Sequence, residues 1–343
     1  MTTETKNPPA FSATGWSSQR MGWPQPQYLW LGILALLAIA VPFIAPDASW
    51  IGVATLGMIW MTLNQSWNLV LGFAGVWHFG HLAIYAVGGY VAALLSLHTS
   101  LHPAISLLAG GGAAAIVSLL LAIPALRLRG IYVSLLTFGF AEVVRLLIIS
   151  DQSRVTGGPY GLSGFAGFGL DDLESADRAN TMYWIALGVA VITSIAIFLV
   201  IRSPLGNGLI ALRDNPALAA ARGIPPRTSQ MVVFGIAGFF AGVAGGLYAF
   251  VFGVISPSLM GLGPMTLLVT MMVVGGLGTV MGPIVGTLII SFVHARLQEW
   301  PDLRLIVLGG ILLVMVVAMP RGLVPVVARL RQRVTAWMGA DKD

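Results

Sequence analysis

The sequence predicts an all-α polytopic membrane protein with about ten transmembrane helices. Three observations carry that expectation. Of 343 residues, 57% are hydrophobic and only 9% are charged, against about 25% charged in an ordinary soluble chain. The mean hydropathy is +0.88. The apolar residues also fall in runs close to the roughly 20 residues that a helix needs to cross the hydrocarbon core. Cysteine is absent, which excludes disulfides, thiolate metal sites, iron–sulfur clusters and a thiol nucleophile. The net charge of +5 does not point to nucleic acid, because the basic residues sit at the ends of apolar runs and form no continuous patch.

Residues 1–27, rich in Pro, Ser, Thr and Gln and without helical periodicity, read as a disordered cytoplasmic tail. The run 28–45 is too long for a signal-peptide core and lacks a small-residue cleavage site after it, so it reads as a retained span. Trp23, Tyr28 and Trp30 are its interfacial anchors. Further spans are expected at 51–71, 79–97, 104–124, 131–150, 182–201, 229–253 and 304–319. Between 263 and 293 the apolar run is interrupted by Gly275, Gly276, Gly278, Gly282 and Pro283.

Charge decides how often that interrupted stretch crosses. With ten spans and a cytoplasmic N-terminus, the inner segments hold Lys6, Arg20, Arg127, Arg129, Arg202, Arg213, Arg222 and Arg227. The tail adds Arg321, Arg329, Arg331, Arg333 and Lys342. The outer segments keep Arg154, Arg178 and Arg296, with Arg304 at a boundary, among many acidic residues such as Asp47, Asp151, Asp171, Glu174 and Asp302. Nine spans would place the basic tail 326–343 outside. Ten spans give a membrane domain over 28–325, a cytoplasmic loop 202–229, a periplasmic loop 151–181 and both termini in the cytoplasm. Helices at 265–276 and 280–293 would then be only about 18 and 21 Å long. Their ends must be buried in protein or line a cavity. A tight hairpin and a broken helix marking a transport pathway both fit.

Gly238, Gly242 and Gly246 recur every four residues, as do Gly278, Gly282 and Gly286. Such stripes let helix backbones approach closely. Leu71-Gly72-Phe73-Ala74-Gly75 and Val274-Gly275-Gly276-Leu277-Gly278 are alike, a hint of internal duplication.

In the loop 202–229, Gly206 and Gly208 are expected to break the preceding span, and Leu209–Leu212 to begin a short helix. Asp214 or Asn215 then caps a second helix with Pro216 at its first position. Gly223 stops that helix, and Pro225-Pro226 prevents its continuation. The product is a short, basic, Ala-rich helix pair at the membrane surface.

Polar groups inside the membrane are few. Glu142 and Arg145 lie three apart on one helical face. Two charges at mid-membrane cost about 2.5–3.5 kcal/mol each on the insertion scale, so the pair is expected to face the bundle near its outer half, as a structural ion pair, with Arg145 snorkelling outward, or as part of the pathway. His78, His81 and Tyr85, at spacings of three and four, are expected on one face, as buried hydrogen-bonded groups or as pathway lining. No third ligand accompanies the two histidines, so no metal site is expected. Thr156-Gly157-Gly158-Pro159 opens a Gly-rich outer loop, suited to a docking partner or to a simple turn.

With these motifs in place, a resemblance becomes specific. The 202–229 loop resembles the coupling loop of ATP-binding-cassette importer permeases. Pro124–Tyr132, Thr137–Arg145, Thr156–Leu162, Val273–Pro283 and Pro320–Pro325 resemble, in order, the M-type permease of branched-chain amino-acid importers. The resemblance implies the ABC-importer permease fold, with short or broken helices near 72–80 and 263–293, in a bacterial inner membrane. It implies a homologous H-type permease, two ATPase subunits and a periplasmic substrate-binding protein as partners, besides membrane lipid. ATPase coupling then falls to Leu212, Arg213, Asp214, Asn215, Pro216, Ala220, Arg222 and Gly223. The pathway candidates are Trp77, His78, His81, Tyr85, Glu142, Arg145, Gly275, Gly276 and Gly278. The docking candidates are Thr156, Gly157, Gly158 and Pro159. Trp77, His78 and Phe79 are large where the family has small residues. That leaves urea, short amides and aromatic acids open as cargo beside branched-chain amino acids.

A P-loop needs Gly-Lys followed by Ser or Thr. The only lysines are Lys6, after Thr5, and Lys342, after Asp341. ATP and Mg must therefore bind to a partner, and this chain has no catalytic residues and no cofactor of its own. The contrasting class is a stand-alone transporter using Glu142 as an ion site.

Overall fold

The computed structural model describes residues 38–44, 47–99, 101–151, 155–165, 167–170, 173–319 and 322–326. The tail 1–27, most of the first expected span and the basic tail beyond 326 lie outside the described residues. Residues 38–44 are helical and belong to a separate unit, Met1–Ile44. The rest is one helical bundle.

Its helices, in chain order, are α1 (Ala48–Asn68), α2 (His81–His98), α3 (Pro103–Ala125), α4 (Ile131–Ile149) and α5 (Ser175–Arg202). After them come α6 (Pro204–Asp214), α7 (Pro216–Ala221), α8 (Pro226–Phe252), α9 (Leu262–Gly275), α10 (Met281–Arg296) and α11 (Pro301–Ala318). Six helices among the described residues are long and apolar enough to cross a membrane: α2, α3, α4, α5, α8 and the stretch containing α11. α1 has the length, but its last turns carry Asn64, Gln65, Ser66 and Asn68, all fully buried. α9 and α10 have 14 and 16 residues, about 21 and 24 Å of helix.

The spans match the sequence reading with one large shift. α5 begins at Ser175, seven residues ahead of the expected 182, because Asp177 and Arg178 continue the helix into its polar entry instead of standing in a loop. The sole sheet among the described residues is a two-residue antiparallel pair, Leu162 with Ile255 and Ser163 with Val254.

α8 is the axis of the bundle, packed by α3 on one side, α2 on another and α1 beyond. Its glycine stripe makes this possible. A Cβ on Gly238 would lie 2.4 Å from Ser118 Cβ, and one on Gly242 2.3 Å from Ala114 Cβ, both on α3. A Cβ on Gly245 would fall 1.9 Å from the Tyr85 carbonyl oxygen of α2. The stripe therefore serves packing within this chain. The second stripe does not exist as a helical face: Gly278 precedes α10, while Gly282 and Gly286 press α10 onto α9. A Cβ on Gly286 would sit 1.9 Å from the Met271 oxygen, and one on Gly275 1.8 Å from the Gly282 oxygen. α9 and α10 thus form a tight antiparallel hairpin.

At the end of the bundle that carries α6 and α7, an apolar cluster joins most of the elements. Leu69, Val70, Ala74, Val76, Ala122, Val133, Ile197, Leu209 and Phe234 are all buried in it.

Gly245→Ala is expected to destabilise the protein by about 1–3 kcal/mol through overpacking. Gly188→Ala on α5, where a Cβ meets nothing within 4 Å, is expected to stabilise it by about 0.5–1 kcal/mol. Thermal melting of the detergent-purified variants checks both.

Candidate functional site

The 202–229 segment is built by caps. The Ser203 hydroxyl accepts the Gly206 N–H at 3.4 Å, and α6 starts at Pro204. Gly206 and Gly208 thus lie inside α6 and do not break a helix; the break falls at Ser203. Gly206 is needed there because its Cβ would lie 2.1 Å from the Ile201 oxygen. Asn215, and not Asp214, caps α7, its side-chain oxygen accepting the Leu218 N–H at 3.0 Å. Gly223, at φ +86°, closes α7: Gly223 N–H donates to the Ala220 oxygen at 3.0 Å and Ile224 N–H to the Ala219 oxygen at 3.1 Å. That is the paired-bond left-handed helix stop. Pro226 then begins α8, so the second proline starts a helix instead of only ending one. Leu209, Leu212 and Ala219 are buried and moor the pair, while Arg213, Asp214, Asn215, Pro216, Ala220, Arg222 and Gly223 are exposed. An open cleft of about 510 Å³ runs between Pro204–Gly208 and Gly223–Ser229.

Directly above α6, two helix breaks meet. α1 ends in a π-helical turn, Leu69–Phe73, followed by an irregular segment, 74–80. α9 ends at Gly275 before a second irregular segment, 276–280. The two touch backbone to backbone: a Cβ on Gly72 would lie 2.4 Å from the Gly278 nitrogen. Asn68 clasps them, its side-chain oxygen accepting the Gly278 N–H at 2.9 Å and its amide donating to the Thr279 oxygen at 2.8 Å. Arg213 Nη1 donates to the Gly72 oxygen at 2.9 Å, while its Nε pairs with Asp214 at 3.0 Å. Gly322 covers the second break, where a Cβ would lie 2.3 Å from Gly276 Cα. The segments that looked alike in sequence, 71–75 and 274–278, are therefore in contact.

The 74–80 segment is tied onward to α4. Ser134 Oγ donates to the Trp77 oxygen at 3.1 Å, and the Phe79 N–H donates to Thr137 Oγ1 at 3.0 Å. His78 lies in this segment and α2 begins only at His81, so His78, His81 and Tyr85 do not share a helical face as expected. Glycine at 75 and 80 keeps the segment out of the helix.

The two histidine rings still meet, at 5.6 Å between centroids, and both are buried. His78 Nδ1 accepts the Gly80 N–H at 3.3 Å, which places the His78 proton on Nε2. Ser66 gives its own proton to the Leu63 oxygen at 2.8 Å and lies 2.9 Å from His81 Nε2, so His81 donates there and leaves Nδ1 as an acceptor. The leftover atoms, one donor and one acceptor, face a closed apolar setting. No group of three His, Cys, Asp or Glu residues is spaced to hold a metal among the described residues. Tyr85 is fully buried, stacked on Trp60 at 6.2 Å and edge-on to Tyr248. Trp77 is largely exposed.

Glu142 and Arg145 form a bidentate pair, with Nε 3.0 and 3.2 Å from the two carboxylate oxygens. Contrary to expectation, the pair does not face this chain's bundle. It is about one-third exposed, on a helix whose Leu135, Val143, Leu146 and Leu147 also point outward. Just beyond the C-terminal end of α4, the following loop is well made: Thr156 N–H and Oγ1 both donate to Asp151 Oδ2 at 2.7 Å. Gly157 and Gly158 take positive φ, and Pro159 and Tyr160 stand exposed.

The residues that sequence reading missed are Asn64, Gln65 and Asn68, hidden inside an apolar run. Their signal was four polar side chains within five residues of a span. Asn64 donates to Thr287 Oγ1 at 2.9 Å and Gln65 to the Val280 oxygen at 3.3 Å, so this turn stitches α1 to the α9–α10 hairpin.

Asn68→Ala removes both bonds to the second break and is expected to cost about 1–3 kcal/mol. Asn68→Asp, which cannot donate to Thr279, is expected to be no better. Melting temperatures in detergent measure both.

Residues 49–316 match the family described as branched-chain amino acid transport system / permease component. The chain is 31% identical over 321 residues to the high-affinity branched-chain amino acid transport system permease protein LivM of Escherichia coli K12, covering 87% of this chain and 75% of that protein. It is 30% identical, with the same coverage, to the Salmonella typhimurium LT2 protein of the same name. No solved structure matches the chain. A membrane-spanning helical bundle with broken helices, matched over most of its length in this way, is a multi-pass permease belonging to the branched-chain amino acid transport system permease family.

Proposed function

We propose that this chain is the transmembrane permease subunit of an ATP-binding-cassette importer of branched-chain amino acids, working by alternating access. The observation that carries the reading is the exposed, double-capped helix pair α6–α7, moored through Arg213 to the contact between two helix breaks. It offers a partner a handle on the irregular backbone of the bundle. The chain has no P-loop, so ATP and Mg belong to partner ATPases docking on α6–α7. The relatives' names supply the cargo class.

The partners are two ATPase subunits, a homologous H-type permease and a periplasmic substrate-binding protein. The second permease follows from α4. An ion pair facing hydrocarbon is costly, and the outward face with Glu142 and Arg145 is best covered by protein or by a water-filled pathway. The Thr156–Tyr160 loop, which follows the C-terminal end of α4 and exposes Pro159 and Tyr160, is the docking surface for the binding protein. The chain sits in a bacterial inner membrane with α6–α7 and both termini in the cytoplasm.

Reconstitution tests the reading. The chain alone in vesicles is expected to carry no labelled leucine, and the complete assembly with ATP inside to accumulate it. Accumulation by the lone chain under an ion gradient would instead establish a stand-alone transporter. Gly223→Val adds a second check. A Cβ there meets nothing within 4 Å, so the substitution acts through the left-handed backbone alone, at about 1–2 kcal/mol. It is expected to lower ATP-driven uptake while the chain still inserts and assembles.

A further inference from the structure

We propose that Arg213 is a positioning residue that locks α6 to the first helix break, Gly72–Gly80, and, through it, to α4, so that these three elements move as one body during transport. The proposal rests on the importer reading above and adds the route by which a movement at α6 reaches the membrane.

Arg213 spans two environments. Its Nε is held by Asp214 at 3.0 Å at the surface, and its Nη1 reaches the Gly72 oxygen at 2.9 Å inside. The Gly72 oxygen belongs to the last turn of the helix α1 and its π extension, where carbonyls lack helical partners and a cation suits the dipole. The stem fills space that only glycine leaves: a Cβ on Gly75 would lie 2.6 Å from Arg213 Cγ, and one on Gly278 2.9 Å from Nη1. A lysine carries one nitrogen and cannot serve both partners from a planar fork.

The next link is equally specific. Trp77 and Phe79 are hydrogen-bonded to Ser134 and Thr137 of α4, and a Cβ on Gly80 would lie 2.8 Å from the Thr137 oxygen. Beneath these bonds Leu209 of α6, Val76 of the segment and Val133 of α4 share one buried apolar cluster. α4 also touches α2, α3 and the turns at 158–160 and 257–260, but its buried residues are only Val133, Thr137, Ala141 and Ile148, and two of those four serve this link. Displacing α6 therefore displaces α4, and with it the outward face bearing Glu142 and Arg145.

The test uses the complete transporter in vesicles. The chain has no cysteine, so with partner subunits made cysteine-free, Asn207→Cys on α6 and Leu135→Cys on α4, both exposed in this chain, take spin labels without background. With Arg213 present, the distance between the labels is expected to stay the same in the nucleotide-free and ATP-trapped states. In Arg213→Gln and Arg213→Lys it is expected to broaden, with ATP hydrolysis retained and uptake per ATP falling about ten-fold or more. A wild-type distance that changes with ATP, or variants with unchanged distance and coupling, would overturn the proposal. So would loss of the ATPase subunits from the purified Arg213→Gln complex, since Arg213 would then be a docking residue. If the wild-type chain carries no ATPase at all, the importer reading falls and this inference with it.

Discussion

The structure depends on one close approach, that of Gly72 to the Gly278 amide. Two helices end inside the bundle there, and each stop leaves backbone groups that lipid cannot satisfy. The bundle solves this by bringing the two stops together, so that each shields the other, and by supplying Asn68 and Arg213 as side-chain partners. No larger side chain fits at the contact. A single added methyl at position 72 would collide with main chain, which cannot move aside as a side-chain tip can. The polar turn Asn64–Asn68 is then intelligible. Buried amides are expensive when unpaired, and these are spent on the carbonyls and hydroxyls of the neighbouring hairpin.

From this contact the rest of the arrangement follows. Beside it, the glycine face of α8 lets α2 and α3 close in. Helices kept away from that centre, α11 above all and then α4 and α5, hold mostly outward-facing apolar residues. The molecule therefore has a dense middle and a loosely held flank. The two histidines belong to the middle. Both are buried against Trp67, Phe234 and Ser66, and each keeps one ring nitrogen without a hydrogen-bond partner.

Much of this was legible in the residues. Span positions followed from apolar runs and loop charge, and the cap at Asn215 and stop at Gly223 followed from local backbone chemistry, which a short window contains. The errors have a common cause. Gly206 and Gly208 read as breakers because glycine weakens an isolated helix, yet the break falls at Ser203, and Gly206 lets the chain fold back against the Ile201 carbonyl, where a Cβ would clash. His78, His81 and Tyr85 read as a helical face because spacing alone cannot reveal where α2 starts. Glu142 and Arg145 read as facing inward because a single chain was assumed to satisfy its own charges. The likeness of 71–75 to 274–278 was visible, but its meaning was not: contact between segments some 200 residues apart is a tertiary fact.

α7 is only six residues long, with Ala219 as its one buried side chain. Helices shorter than about 12 residues are marginal in water without tertiary support. This one persists through its caps, and its amides should exchange with solvent by local opening long before the bundle unfolds. A surface element so close to melting gives up ordering entropy on meeting a partner, which tempers the affinity of that encounter.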